Sequence, residues 1–298
     1  MPRAEKGRGQ AAVNSGCPLE TPHEDLPGLE ILPALAQRTG SGEPHVEQLQ
    51  RQLSDVDRGQ LGQGLPEEPE AGPRTFGEGD MNFIFEQIRT GGDRNFGYLI
   101  GDREQRVAAV VDPSNDPKSV VRRAEEQGLK VEYIINTHGH SDHTNGNAKA
   151  KKLTGAPIVA FESSSILPDV GVVDGQVVEV GSLALEMIHV PGHTDDHILV
   201  YLEQQKVAVT GDHLFVGKIG GTGTEAAARA EYASLQRNLE RFPDDVTIWP
   251  GHDYGCRPSS TIGLEKIMNP FLMRLGDIDA FLQLKHDWAG FKAAHGLA

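Results

Sequence analysis

Cysteine is nearly missing from this chain. The two present among 298 residues, Cys17 and Cys256, are far apart and belong to no CxxC pair. That excludes a disulfide scaffold and a thiolate-rich structural metal site. Positive charge is also scarce: 28 Lys and Arg face 43 Asp and Glu, for a formal charge of −15. Nucleic-acid binders draw their affinity mainly from cations meeting phosphate, so no nucleic-acid partner is expected. No apolar run approaches a membrane span or a signal-peptide core, so neither membrane association nor export is expected, and a cytoplasmic location is. Aromatic residues make up 6% of the chain, and the first eighty residues hold only Phe76. That stretch is dense in Gly, Pro, Gln and Glu, with one weak helical pattern around His45 to Val56. Such poor apolar content cannot offset ordering entropy, so residues 1–80 are expected to be a disordered or loosely attached extension. It has more acids than bases, unlike a transit peptide. An upstream gene-model extension ahead of Met81 is the simplest account.

What the chain does have is imidazole at the ends of short apolar runs. Tyr133-Ile134-Ile135 leads into Thr137-His138-Gly139-His140-Ser141-Asp142-His143. Imidazole and carboxylate at this spacing suit zinc, manganese or iron, and Gly139 lets the loop fold closely around an ion. Three later blocks repeat the setting. His193 follows Leu183 to Val190, Asp212 follows Val207-Ala208-Val209, and His252 follows Val246-Thr247-Ile248. Each run ends at Gly or Pro, which places the candidates at one end of a buried sheet, where α/β folds build their sites. Five imidazoles and two carboxylates exceed the needs of one tetrahedral ion and fit two adjacent ions sharing a bridge.

These four blocks, in this order, resemble the metallo-β-lactamase-fold hydrolases. The resemblance covers most of the chain from Met81 onward and implies an α/β fold, an αββα sandwich forming a catalytic domain over residues 81–298. It implies a first metal on His138, His140 and His193, a second on Asp142, His143 and His252, and Asp212 bridging them. Two Zn2+, or a mixture of zinc, iron and manganese, would be the cofactors, with Asp142 and Asp212 as catalytic carboxylates. Asp212 stands where a zinc β-lactamase of the commonest type carries Cys, which argues against that activity.

Two subfamilies compete. Gly211-Asp212-His213-Leu214-Phe215-Val216 is similar to the corresponding segment of glyoxalase II, which hydrolyses S-acylglutathione thioesters with a metal-bridging hydroxide. Pro250-Gly251-His252-Asp253-Tyr254, with Ser260-Thr261-Ile262-Gly263 and Asn269-Pro270, is closer to the persulfide dioxygenases. Those enzymes use one Fe2+ on the equivalents of His138, His193 and Asp212, a two-His-one-carboxylate set typical of non-haem iron oxygenases. In both subfamilies a cation beyond the bridging Asp serves the glutathione pocket, where this chain has Gly221. Lys218 is the substitute candidate, and Tyr254 is a candidate donor to substrate. The expectation is a small thioester such as S-lactoylglutathione, with a persulfide dioxygenase and then a lactonase as alternatives. A thiol-derived small molecule is the expected partner, and a homodimer is left open.

Periodicity gives the elements. Phe83 to Ile88, Asn95 to Ile100 and Arg106 to Val111 read as antiparallel strands, the last two joined by a turn at Gly101-Asp102. Pro117 to Gln127 reads as a helix with Val120, Val121 and Ala124 on one face and Gly128 as its stop. Tyr133 to Asn136 is a strand, and Glu225 to Arg241 a helix burying Tyr232, Leu235 and Leu239. Helical turns broken by Pro270 follow Ile262. Asp196 and Asp253 are candidates for orienting ligand imidazoles. His189, His197 and His213 are read as structural.

Overall fold

The structure, a computed structural model, describes residues 82–296. The extension expected over residues 1–80, with its helical pattern near His45, lies outside the described residues. Aliphatic and β-branched runs form two six-stranded sheets, and their order explains where the imidazoles meet.

The first sheet contains β1 (Phe83–Gly91), β2 (Asn95–Asp102), β3 (Val107–Val111), β4 (Lys130–Ile135), β5 (Ile158–Phe161) and β6 (Val170–Val172), side by side in chain order. β1, β2 and β3 are antiparallel, whereas β3 through β6 are parallel. Parallel neighbours need crossovers. Helix α1 (Pro117–Glu126) supplies one between β3 and β4. The short α2 (Ser141–Thr144) and α3 (Asn147–Thr154) carry the chain from β4 to β5. The turn expected at Gly101-Asp102 lies further on. Asp102 is still in the strand, paired with Val107, and the chain reverses beyond it with Arg106 at φ 57°. Asp102 accepts hydrogen bonds from the backbone of Gln105 and from Ser182, which fixes the turn at that later position.

The second sheet runs β14 (Ser260–Thr261), β13 (Thr247–Pro250), β10 (Val207–Gly211), β9 (Ile198–Leu202), β8 (Leu183–His189), β7 (Gln176–Val180). Its one parallel pair, β10 with β13, is joined by α4 (Glu225–Arg241), which Thr224 caps by accepting from the Ala227 amide. A small hairpin, β11 (Leu214–Phe215) and β12 (Lys218–Ile219), precedes that helix. The C-terminal stretch forms α5 (Ile262–Met268), a 3-10 turn (Leu272–Arg274), α6 (Ile278–His286) and α7 (Trp288–Ala294).

Strand alternation sorts the core. Leu99, Val110 and Ile134 pack with Val120 and Ala124 of α1 and Ala150 of α3. Leu199, Tyr201, Ala208 and Ile248 pack with Tyr232 and Leu235 of α4 and Phe281 and Leu284 of α6. The alternate residues, Ile100, Ile135, Val200 and Val209, are fully buried as well. The inner face of each sheet is therefore covered by the other, which gives the αββα sandwich and explains strands that are apolar on both sides. Tyr98 crosses the gap, donating its hydroxyl to Pro250 O at 2.5 Å.

Candidate metal centre

β10 is antiparallel to β9, which is antiparallel to β8, so β8 and β10 point the same way, and β13 is parallel to β10. Their C-terminal ends therefore lie together and deliver His193, Asp212 and His252. The end of β4 brings His138 and His140, and Asp142 and His143 follow in α2. The sandwich gathers all seven side chains at one edge.

They form two sets of three. His138 Nε2 and His193 Nε2 lie 3.0 and 3.1 Å from His140 Nδ1. His143 Nε2 and His252 Nε2 are 3.2 Å apart, and Asp142 Oδ2 lies 3.6 and 3.3 Å from them. Asp212 touches both sets. Its Oδ1 is 3.4 Å from His143 Nε2, and its Oδ2 is 3.6 Å from His193 and 3.4 Å from His252. A tetrahedral ion with bonds of about 2.0–2.1 Å places its donor nitrogens about 3.3 Å apart, the spacing seen here. The Gly251 backbone closes over Asp212, and a Cβ there would stand 2.3 Å from Oδ1.

Three of the five rings are oriented from behind by a carboxylate or carbonyl oxygen. His143 Nδ1 faces Asp112 Oδ2 at 2.9 Å, His193 Nδ1 faces Gly221 O at 2.7 Å, and His252 Nδ1 faces Asp93 O at 2.8 Å. An oxygen acceptor at Nδ1 puts the proton there and leaves Nε2 free to ligate. Asp212 is set by its own amide, which donates to His197 Nε2 at 3.0 Å. The Asn95 carboxamide donates to Asp142 Oδ2 at 3.1 Å and Asp142 O at 3.2 Å, holding a half-exposed carboxylate in place.

The electrostatics call for cations. Burial would raise the Asp212 carboxyl, but His143 and His252 outweigh it and hold the pKa well below the usual range. Burial works against protonated His143, yet Asp112 and Asp212 push it well above an ordinary imidazole, and Asp212 likewise raises His252 against burial. His138 goes the other way, driven well down by burial and by the charge of His143 and His197. Buried Asp212 Oδ1 has no hydrogen bond. Divalent ions fit this set: they supply the positive charge that protons on His143 and His252 otherwise provide, and they meet the orphan oxygen.

Other candidates sit elsewhere. Lys218 lies with its Nζ 3.8 Å from the Tyr254 ring centroid, on the rim of the centre. Tyr254 stacks on His252 at 4.6 Å but donates its hydroxyl to Asp93 at 2.6 Å instead of leaving it toward a ligand. Asp196 accepts from Ser164 and Asp253 pairs with Arg89, so neither orients a metal-site imidazole. The Asp196 carboxylate points to the Ser164 turn and that of Asp253 to β1. His213 is bound between Glu231 and Asn238, and His189 stacks on Phe161. Sequence reasoning missed Asp112, Asn95 and Asp93. The one local signal was their place at strand ends, shared with ordinary turn residues.

The family model described as the metallo-beta-lactamase superfamily matches residues 90–165 and 160–252. The chain belongs to this superfamily. Among curated members it is 37% identical over 177 residues to a hydroxyacylglutathione hydrolase of Polaromonas sp., covering 57% of this chain and 67% of that one. It is 34% identical over 181 residues to the mitochondrial persulfide dioxygenase ETHE1 of Homo sapiens, covering 59% and 71%. The solved structure of ETHE1 from Myxococcus xanthus superposes with a TM-score of 0.63 at 31% identity, over 69% of this chain and 91% of that one. The superfamily's two-sheet architecture thus agrees with the fold, and its relatives divide between two chemistries.

Proposed function

We propose that this metallo-beta-lactamase-superfamily chain is a metal-dependent hydrolase of a small glutathione thioester, with S-lactoylglutathione as the first substrate to test. The observation that carries it is the second donor set. Asp142, His143 and His252 converge as closely as the first three, and Asp212 reaches both. In this reading His138, His140 and His193 hold one divalent ion, Asp142, His143 and His252 hold another, and Asp212 joins them. Such ions, when bound, supply Lewis acidity and lower the pKa of water at the site.

The protein's own groups do the rest. Asp112, Asp93 O and Gly221 O fix the Nδ1 proton of His143, His252 and His193. His140 also borders an open cavity lined by Ser163, Ser165, Thr194 and Asp196. Hydroxyls and a carboxylate suit the hydroxyl of a hydroxyacyl group. Arg94 and Lys218 stand over Tyr254 at 4.8 and 3.8 Å and offer cations to the carboxylates of the thiol. Burial and the nearby Lys292 and Arg94 lower the Lys218 ammonium to about 8, so it stays charged at neutral pH. A thioester suits the site because its thiolate leaves without needing a proton from the protein.

The second reading is a persulfide dioxygenase using His138, His193 and Asp212. Its support is likeness: the Myxococcus ETHE1 structure superposes with a TM-score of 0.63 at 31% identity, and human ETHE1 is 34% identical to this chain. Zinc-loaded protein given S-lactoylglutathione and iron-loaded protein given glutathione persulfide in an oxygen electrode separate the two. Thioester cleavage without oxygen uptake is expected. Rapid oxygen consumption with no thioester cleavage would overturn the hydrolase in favour of the dioxygenase.

A further inference from the structure

The polypeptide beyond His252 contributes none of the seven donors, yet three of its polar side chains close on a single loop of the centre. That loop is Gly217 to Gly221. Glu265 of α5, 2% exposed, accepts from the Gly217 amide at 2.8 Å. Asn269, fully buried, donates to Lys218 O at 3.2 Å and to Glu265 at 2.9 Å. Lys285 of α6 reaches in from outside and donates its ammonium to Gly220 O at 2.6 Å. The other face of the same loop meets the centre. Gly221 O takes the His193 Nδ1 proton, and a Cβ at Gly220 would stand 2.0 Å from Asp212 O and 2.9 Å from His193 Nδ1. The loop is pressed between the C-terminal helices and two of the seven donors.

The lysine is the informative member. Its neighbours on α6, Phe281 and Leu284, are buried apolar residues. Lys285 follows Leu284 into that packing, 5.8 Å over the Phe271 ring. Among the described residues no carboxylate pairs with it directly; burial lowers its pKa to about 8, opposed by the field of Glu231. An ammonium desolvated this far is costly, and a charge-assisted bond to a carbonyl is among the stronger ones a protein can make in return. A residue needed only to cover Phe271 would serve better as Leu or Met.

We propose that Lys285, seconded by Glu265 and Asn269, is a positioning residue of the metal centre: it holds the Gly220-Gly221 peptide so that Gly221 O fixes the His193 ring with Nε2 turned toward His140 and Asp212. This rests on His193 being a metal donor, and not on which substrate is cleaved. The segment carrying it lies outside the stretch matched by the superfamily model, which ends at residue 252.

The test compares Lys285→Met, which keeps the length and loses the donor, with Lys285→Arg and with Leu284→Ala. The last damages the packing of α6 while leaving the three polar side chains that bond the loop in place. The readouts are zinc affinity by chelator competition and the visible spectrum of the cobalt-substituted protein, neither of which depends on turnover. Lys285→Met is expected to weaken zinc binding about 10–100-fold, the range for outer partners of metal ligands, and to shift the cobalt bands. Lys285→Arg should restore most of both. Leu284→Ala should lower the melting temperature and leave affinity and spectrum as in the wild type. Unchanged affinity and spectrum in Lys285→Met would overturn the proposal, as would an equal loss in Leu284→Ala. Wild-type protein that binds no zinc or cobalt would remove the metal centre itself and the role with it. Absent thioesterase activity alongside a Lys285-dependent affinity would refute the hydrolase and leave the positioning role standing.

Discussion

Asp112→Asn changes one atom of the molecule and should cost it one metal ion. Asp112 is 1% exposed and fully engaged. Its Oδ1 accepts from Thr137 N at 2.9 Å, and its Oδ2 accepts from Thr137 Oγ1 at 2.6 Å and His143 Nδ1 at 2.9 Å. An Asn that keeps Oδ1 on the Thr137 amide must turn its NH2 toward His143. Nδ1 then becomes an acceptor, and the proton moves to Nε2, the atom aimed at Asp212 and His252. A protonated nitrogen cannot ligate. Loss of an outer partner usually weakens a metal site about 10–100-fold, or about 1.4–2.7 kcal/mol. The ion-free protein should also lose stability, with a definite pH sign. Burial opposes the His143 proton and Asp112 holds it, so the folded pKa is raised. The pair's contribution is thus fully present below the unfolded imidazole value of about 6.5 and fades as pH rises through the folded pKa. The wild-type advantage in urea unfolding of the chelated proteins should therefore be largest in mild acid. Zinc stoichiometry under chelator competition checks the first claim. A variant that holds two ions with wild-type affinity would refute the tautomer argument.

Three further outcomes are expected. Asp212→Ala should abolish activity and lower metal content more than Asp142→Ala does, because the Asp212 carboxylate contacts both donor sets; full occupancy and activity in Asp212→Ala would undo the site. Asn95→Ala frees the Asp142 carboxylate, so metal analysis should show loss of the ion on Asp142, His143 and His252 with the other retained, and equal loss of both would contradict this. Lys285 stands at about 8 against 10.5 for a free lysine; between those values the unfolded chain keeps a proton that the folded one releases, so stability rises with pH by up to about 3 kcal/mol. Urea unfolding of wild type and Lys285→Met at about pH 7.5 and 9.5 should show a steeper slope in the wild type, Lys218, also at about 8, contributing to both, and parallel slopes would mean the Lys285 ammonium is solvated.

The candidate donors were legible because each of the four blocks couples a β-branched run to a Gly or Pro and then a His or Asp, as at Val209-Thr210-Gly211-Asp212. Period-2 patterning also gave the early strands, and a stripe at helical spacing gave α4. The groups that orient the donors carry no such mark. Asp112 looks like a strand-end acid before Pro113, and its contact with His143 spans 31 positions. Gly221 acts through a carbonyl that every residue type possesses, so its place in the sequence suggested only a missing cation. Tyr254 follows His252 closely, but its hydroxyl is claimed by Asp93 across 161 positions. Acids in loops were misassigned for the same reason: Asp196 is near His193 in sequence, yet its carboxylate meets Ser164. Local chemistry reveals what can ligate, while tertiary packing decides what holds it.

The donors come from both sheets, four residues between 138 and 143 and three more at 193, 212 and 252, with the loop clamp waiting until 285. A chain leaves the ribosome N-terminus first, at about 5–20 residues per second, so several seconds separate the first imidazole from the last. Throughout that interval the His138 cluster exists without the strands that complete its coordination. Secure capture of an ion therefore belongs to the finished chain. If these residues hold ions as proposed, the choice among metals would fall to a complete site after release, and not to whichever ion is nearest while the chain is being made.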